Sequence, residues 1–467
     1  MNAQPLAVPA ALPARHQLGL WTLVVFGVGL MAPIIVLGTF GILAQTSRGE
    51  VPLAYIVALA AMLPTAISYA LMARAYPVAG SSYSYVRKAV NSSLGFLTGW
   101  AILLDYLFMP LAVWLIGTAY LHSIVPSVPE PVWMLLFIAV TTAINVIGLK
   151  LAAGFNMLLV ILQTLVLAAF VVLCAHYALG DATRPIFAAA AHGAPVPQLV
   201  LSGAAIACYS YLGFDAVSTL TEETRDPVRT VPPAIILVTL VGGLLFIGTS
   251  YFVQLAHPSF DFADADAAST EIARNIGGDA FVLVFLLGLV IGQFASGIAA
   301  QTSVSRLLYA LGRDGVLSRS FFGRLSARFG TPVPAIGLSA AIALAGLRLD
   351  VQTSTSFINF GAFLTFILVN LSVIFHYWHA LRRRGARAVL FFLLIPGFGM
   401  VADFALMVSL DHKALILGLS WLTLGIAYLA WLTGGFRRPP PELHVDDTPP
   451  IGAPAASAAP VRSGPAA

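Results

Sequence analysis

Twelve apolar runs, most of them about 20 residues or longer, constrain the fold of this chain more than any other feature. Runs of this length cross the hydrocarbon core of a bilayer as helices. They occupy residues 19–44, 52–74, 95–123, 132–149, 154–179, 198–222, 232–256, 280–310, 334–348, 356–380, 388–409 and 413–434. Only 9% of the residues are charged, against about 25% in soluble domains. The sequence therefore predicts an all-α, multi-pass membrane protein, and it excludes a cytosolic enzyme, a secreted disulfide scaffold and a nucleic-acid-binding protein.

The positions of the basic residues predict the orientation of the chain. Cytoplasmic segments of membrane proteins are enriched in Lys and Arg. If the N-terminus is cytoplasmic, most of the 24 basic residues fall on the cytoplasmic side. Those that would lie outside are Arg48, Arg184, Arg274, Arg348 and Lys413. We therefore expect both termini to be cytoplasmic.

The first and sixth runs are interrupted near their middles. The first contains two glycines and a proline within Gly27–Pro33, and the sixth contains Gly213 within Tyr209–Asp215. Such breaks are tolerated in a bilayer only where they are buried in protein or line a cavity. Runs one to five and six to ten form two equivalent sets, and because five is odd the second set crosses the membrane in the opposite direction. Matched breaks in inverted repeats favour a transporter with its site at the midplane, and ordinary glycine-mediated helix packing is the alternative.

The domain organisation follows from these runs. A cytoplasmic tail is predicted at 1–17 and a twelve-helix transporter domain at 18–435, with repeats at about 18–180 and 198–380 and two extra helices within 388–434. The tail 436–467 is rich in Pro and Ala and is predicted to be disordered.

Acidic residues within the apolar runs are the strongest functional candidates. Asp105, Asp215 and Asp403 lie inside runs and Glu222 lies at the inner end of the sixth, with no Lys or Arg deep in a run. A buried carboxylate is costly unless it is paired, protonated or exposed to water. We expect Asp215 to bind an amine, assisted by Asp105 and, through a cation–π contact, by Tyr106. Asp403 lies outside the repeat, and we expect it to be structural.

Each of these assignments has an alternative. Asp215 could cap the second half-helix, Asp105 could hydrogen-bond to a neighbouring helix, and Glu222, the candidate proton relay, could pair with Arg225 or Arg229. The other substrate-binding candidates, next to the breaks, are Gly27, Gly29, Tyr211, Gly213 and Phe214. The polar residues expected to hydrogen-bond between helices are Gln293, Ser296, Gln301 and Asn359.

Several stretches carry a resemblance to a known family: LGLWTLVVFGVGLMAPI and TFGI in the first run, LLDYLF in the third, LGFDAVSTLTEET in the sixth, and SVSRLLYALGRDGV after the eighth. With these motifs the chain resembles the bacterial putrescine importer family within the amino acid–polyamine–organocation (APC) transporter superfamily. The resemblance implies a five-plus-five inverted repeat with two extra helices in the cell inner membrane. It also implies uptake of putrescine driven by the proton gradient, and it places Tyr106, Asp215 and Glu222 on the substrate path.

Two positions depart from the family pattern, and they keep a second function open. Gly38 replaces an acid and Gln301 replaces a histidine of the best-known member, and the loss of an acid counts against a doubly charged substrate. Relatives that carry amino acids have a Gly-(Ser/Thr)-Gly step, which here is Gly27-Val28-Gly29. A neutral or cationic amino acid permease or exchanger is therefore the alternative to a putrescine importer.

No enzymatic activity, metal or cofactor is expected from the sequence. It contains no HExxH pair and no P-loop, the signatures of zinc proteases and of nucleotide binding. Cys174 and Cys208 both lie in apolar runs and show no metal-ligand spacing. The expected partners are a small amine, protons and the lipid bilayer.

Overall fold

The computed structural model describes residues 18–78, 81–148, 153–180, 196–313, 317–326, 328–381 and 385–440. The tail predicted at 1–17, and the predicted C-terminal tail from 441 onward, lie outside these ranges. The helices of the described ranges are α1 (Leu20–Leu30), α2 (Ile35–Ser47), α3 (Val51–Ala75), α4 (Ser81–Ala89), α5 (Ser92–Ile124), α6 (Glu130–Ile147), α7 (Ala153–Leu179), α8 (Pro197–Ala207), α9 (Pro227–Ala256), α10 (Ala268–Arg313), α11 (Val333–Ala343), α12 (Val351–Leu381), α13 (Ala386–Val408) and α14 (His412–Leu432).

These helices confirm the predicted all-α membrane architecture. Within the described ranges, ten helical segments are long and apolar enough to cross a membrane, and the bent pair α1–α2 makes an eleventh. The shorter apolar segment Val333–Arg348 coincides with the shortest predicted run. The helices therefore follow the twelve predicted spans in order.

Two features of the fold were not predicted. Helix α4 follows the second span. Its residues Tyr85 and Val86 are buried and Lys88 is exposed, so the apolar face of this amphipathic helix packs against the other helices. Helix α10 begins earlier than the predicted eighth run, in the stretch between the seventh and eighth predicted runs. Gly278, at φ 67°, introduces a kink between this early portion and the apolar part of α10.

The first and sixth spans are broken, as predicted. Helices α1 and α2 meet at 50°, and Ala32 between them has φ 46°. Helix α8 continues as a 3-10 turn over Cys208–Tyr211, and a second 3-10 helix runs over Asp215–Glu223. Gly213 between them has φ 117°, and a Cβ placed there would lie 3.2 Å from the carbonyl carbon of Leu30. The two breaks therefore lie against each other, and this close approach requires glycine.

Helix α2 is sealed at the end of the bundle that is predicted to face outward. The backbone carbonyl of Leu37 accepts hydrogen bonds from the Tyr120 hydroxyl at 2.6 Å and the Ser269 hydroxyl at 2.7 Å. A Cβ at Gly41 would lie 2.4 Å from the Cβ of Ala268. This tight packing closes the outer end of the first span.

Candidate functional site

A cavity of about 830 Å³ opens beside the two breaks, between α1, α5, α10, α12 and the broken sixth span. It extends from Met31 and Gly213 at the breaks to Trp21, Thr219 and Ser303 near the opposite end of the bundle. That end is the one predicted to be cytoplasmic. The cavity therefore extends toward the end of the bundle opposite the sealed end of α2.

Two carboxylates line this cavity. Asp105 lies on α5 next to Tyr106, which also lines it, and Asp215 lies at the start of the second 3-10 helix. The Oδ1 atom of Asp215 accepts a weak hydrogen bond from the backbone N–H of Gly213 at 3.3 Å. The Oδ1 atom of Asp105 is buried and has no hydrogen-bond partner. Among the described residues that line the cavity there is no Lys, Arg or His, so its charged side chains are all acidic.

Each break brings one C-terminal and one N-terminal helix end to the cavity, and the N-terminal ends are those of α2 at Ile35 and of the second 3-10 helix at Asp215. Helix α1 ends at Leu30 and the first 3-10 turn of the sixth span ends at Tyr211, so both segments present their C-terminal ends near the breaks. Leu30 and Leu212 line the cavity. The C-terminal end of a helix carries a partial negative charge from its free carbonyl groups. Carbonyl dipoles and carboxylates together suit an ammonium group.

Five of the predicted binding residues line the cavity, and three do not. The five are Asp105, Tyr106, Gly29, Gly213 and Asp215. The other three lie behind the cavity wall and support the breaks. Gly27 packs closely against Val217 and Val238. The Tyr211 hydroxyl donates to the backbone carbonyl of Tyr55 at 3.2 Å, and the ring of Phe214 packs between Tyr69 and Phe366.

The side chain of Glu222, the predicted proton relay, lies outside the part of the chain that the structure describes. Neither of the two departures from the family pattern lines the cavity itself. A Cβ at Gly38 would lie 3.2 Å from Ile116 and 3.9 Å from the amide nitrogen of Gln293, which does line the cavity. The amide of Gln301 bonds to Asn145 at 2.8 Å and to Thr142 at 2.9 Å, which joins α10 to α6.

Interhelical hydrogen bonding, expected for four polar residues, is observed for two of them. Besides Gln301, Asn359 on α12 donates to the backbone carbonyl of Ala205 at 2.7 Å and thereby supports the end of α8. Gln293 and Ser296 line the cavity instead.

The lining residues that sequence reasoning missed include Gln163, Thr365 and Phe366. The Thr365 hydroxyl is buried without a hydrogen-bond partner.

The chain matches known transporter sequences over most of its length. Residues 22–409 match the family model described as amino acid permease. The chain is 40% identical over 437 residues to the low-affinity putrescine importer PlaP of Escherichia coli, covering 92% of this chain and 96% of that protein. It is 25% identical over 442 residues to the branched-chain amino acid permease BcaP of Bacillus subtilis, with coverages of 90% and 91%. The methylthioribose transporter of Bacillus subtilis is 26% identical over 384 residues, with coverages of 77% and 80%.

These relatives are transporters, and they confirm the resemblance drawn from the sequence motifs. Together with the helices described above, they identify the chain as a multi-pass membrane protein. It belongs to the amino acid permease family of the APC superfamily.

Proposed function

We propose that this protein is a secondary transporter that imports putrescine, or a closely related small diamine, by proton symport across the cell inner membrane. The observation that carries the proposal is the pair of carboxylates, Asp105 and Asp215, in one cavity whose described lining has no basic side chain. A diamine has two ammonium groups, and each needs a counter-charge when it leaves water. The 40% identity to a putrescine importer supports the same substrate.

The geometry favours an amine over an amino acid. An amino acid carboxylate requires donors such as free backbone N–H groups. The step Gly27-Val28-Gly29 lies inside α1, where N–H groups are used by the hydrogen bonds of the helix. The side chains of the lining supply acidic groups and aromatic rings, among them Tyr106 and Tyr209, which attract cations.

Transport follows when one group of helices rocks against the rest. This group, called the bundle below, contains the first, second, sixth and seventh spans, which are α1–α3, α8 and α9 with the adjoining 3-10 helices. In inverted-repeat transporters such rocking opens the midplane site to each side in turn. The basic residues support cytoplasmic termini, so the present arrangement releases substrate inward. Glu222 remains our candidate for a proton relay, and no cofactor is required because the proton gradient supplies the energy.

The proposal is tested with purified protein in liposomes. We expect labelled putrescine to accumulate under an imposed inward proton gradient and the accumulation to disappear when a protonophore is added. Unlabelled diamines should compete, whereas leucine and lysine should not. Accumulation that is unaffected by the protonophore would refute proton coupling, and transport of an amino acid without putrescine would refute the substrate.

A further inference from the structure

A second acidic site lies away from the cavity, at Asp403 of α13. Asp403 is fully buried and does not line the cavity. Its Oδ2 atom accepts hydrogen bonds from the Thr65 hydroxyl at 2.8 Å and from the Asn370 amide at 3.0 Å. The Asn370 amide also donates to the Thr65 hydroxyl at 2.8 Å. Because Thr65 belongs to α3 and Asn370 to α12, this cluster joins three helices.

The groups that contact Asp403 are neutral. Within the described chain, no Lys, Arg or His forms an ion pair or hydrogen bond with its carboxylate. Among the described residues, the titratable groups near enough to interact electrostatically with Asp403 include the Tyr69 phenol on α3 and the Cys208 thiol after α8. On α12, His376 bonds to the Tyr76 hydroxyl at 2.8 Å instead. A charged carboxylate without a cation is costly in the bilayer interior, so binding of a proton or a metal cation would stabilise Asp403 there.

The unpartnered atoms of the cluster favour a proton. The Oδ1 atoms of Asp403 and of Asn370 are both buried, and neither has a hydrogen-bond partner. A proton on Oδ1 of Asp403 turns an unpartnered acceptor into a donor, and the Asn370 Oδ1 is an available acceptor on the adjoining side chain. Hard divalent cations take about six or more oxygen ligands. The described residues contain no group of three or more His, Cys, Asp or Glu side chains that could hold a metal.

The cluster lies across the interface that rocking must shear. Thr65 is carried by α3, which belongs to the bundle, whereas Asn370 and Asp403 belong to helices outside it. Hydrogen bonds to an ionised carboxylate are roughly twice as strong as neutral ones. Ionised Asp403 therefore ties α3 to α12 and α13 more strongly than the neutral acid does.

We propose that Asp403 is a proton-binding site whose protonation releases α3 from α12 and α13 and so couples proton binding to rocking. In each cycle Oδ1 takes one proton from the aqueous phase and later returns one. The coupling rests on the proposed proton-symport function, whereas the presence of a buried, protonated carboxyl does not depend on it.

The decisive variant is Asp403→Asn, which resembles the neutral acid in size and cannot lose a proton. We expect it to keep exchange of labelled for unlabelled putrescine across the liposome membrane and to lose accumulation driven by the proton gradient. The matched control is Asp279→Asn, because that carboxylate is 89% exposed and pairs with exposed Arg274 at the surface. It should accumulate putrescine as the wild type does. Accumulation by Asp403→Asn at the wild-type level would overturn the proposal, and so would loss of exchange by a correctly folded variant.

A spectroscopic measurement separates this proposal from the transport function. Infrared difference spectra of the wild type between acidic and alkaline pH should contain the C=O stretching band of a protonated carboxyl that is absent from Asp403→Asn. Asp403→Glu, which keeps a titratable group, should restore a shifted band. Identical spectra for wild type and Asp403→Asn would overturn the proposal even if putrescine were not the substrate. Loss of the band on adding Na⁺ at constant pH would also overturn it, because a metal cation would then occupy the site.

Discussion

Asp105 is expected to distinguish a diamine from a monoamine, and the substitution Asp105→Asn tests this. The change keeps the size of the side chain and removes one of the two carboxylates of the cavity. Loss of one partner from a buried charge pair costs about 2–5 kcal/mol. Asp105 is half-buried in a cavity that extends toward one end of the bundle, where water screens its charge. The lower end of this range therefore applies, about 2–3 kcal/mol. This corresponds to an affinity for putrescine reduced about 30- to 150-fold.

The assay compares putrescine with butylamine, a monoamine with the same carbon chain, as competitors of labelled uptake. In our arrangement the single ammonium of butylamine pairs with Asp215, so its apparent affinity should not change in Asp105→Asn. Asp215→Asn should weaken both competitors, and it serves as the matched comparison. Equal losses for putrescine and butylamine in Asp105→Asn would refute the second ion pair, as would an unchanged affinity for putrescine in protein of normal membrane abundance.

Three further substitutions test the breaks and the sealed outer end. Gly213→Ala should lower the unfolding free energy by about 1–3 kcal/mol, because φ is 117° there and the new Cβ would contact Leu30. An unchanged midpoint of thermal unfolding would contradict this expectation. Gly41→Ala should separate α2 from the segment after α9 and favour an outward-open state, so that a cysteine introduced at Ser296 becomes reactive toward an impermeant thiol reagent added outside. Tyr120→Phe removes one hydrogen bond to a carbonyl of α2, worth about 0.5–1.5 kcal/mol. It should increase labelling of the cysteine at position 296 less than Gly41→Ala does, and equal or greater labelling would contradict the packing of α2.

The architecture was largely predictable because the constraints on it are local. Apolar length determines which segments can span a bilayer, and Gly and Pro mark where such a segment weakens. The break at Gly27–Pro33 and the break at Gly213 were predicted on that basis, and the structure contains both. Helix α4 was missed because it is short and amphipathic, with Arg87 and Lys88 in its last turn, so it has no apolar run to identify it.

The composition of the site was predicted less completely, because side-chain direction near a break follows no helical period. Tyr211 and Phe214 adjoin the interruption in sequence, yet the irregular backbone turns both away from the cavity. Thr365 reaches the cavity from an unbroken helix, and its sequence neighbourhood shows no functional motif. The partners of Asp403 lie 338 and 33 residues away in sequence, so the cluster becomes visible only when three helices are brought together.

The two kinds of intramembrane acid differ in their access to water, and this difference suits a symporter. Asp105 and Asp215 line a cavity that opens toward one end of the bundle, so their charges can be solvated until an amine replaces the water. Asp403 has no exposed surface, and its carboxylate is held by two neutral donors, so its charge is tolerated only while those donors stay in place. In the proposed cycle the amine is exchanged at the hydrated site, whereas the proton is held at Asp403, whose hydrogen bonds change with helix position. In that proposal the proton controls the movement of α3 without competing with the amine for the same carboxylate.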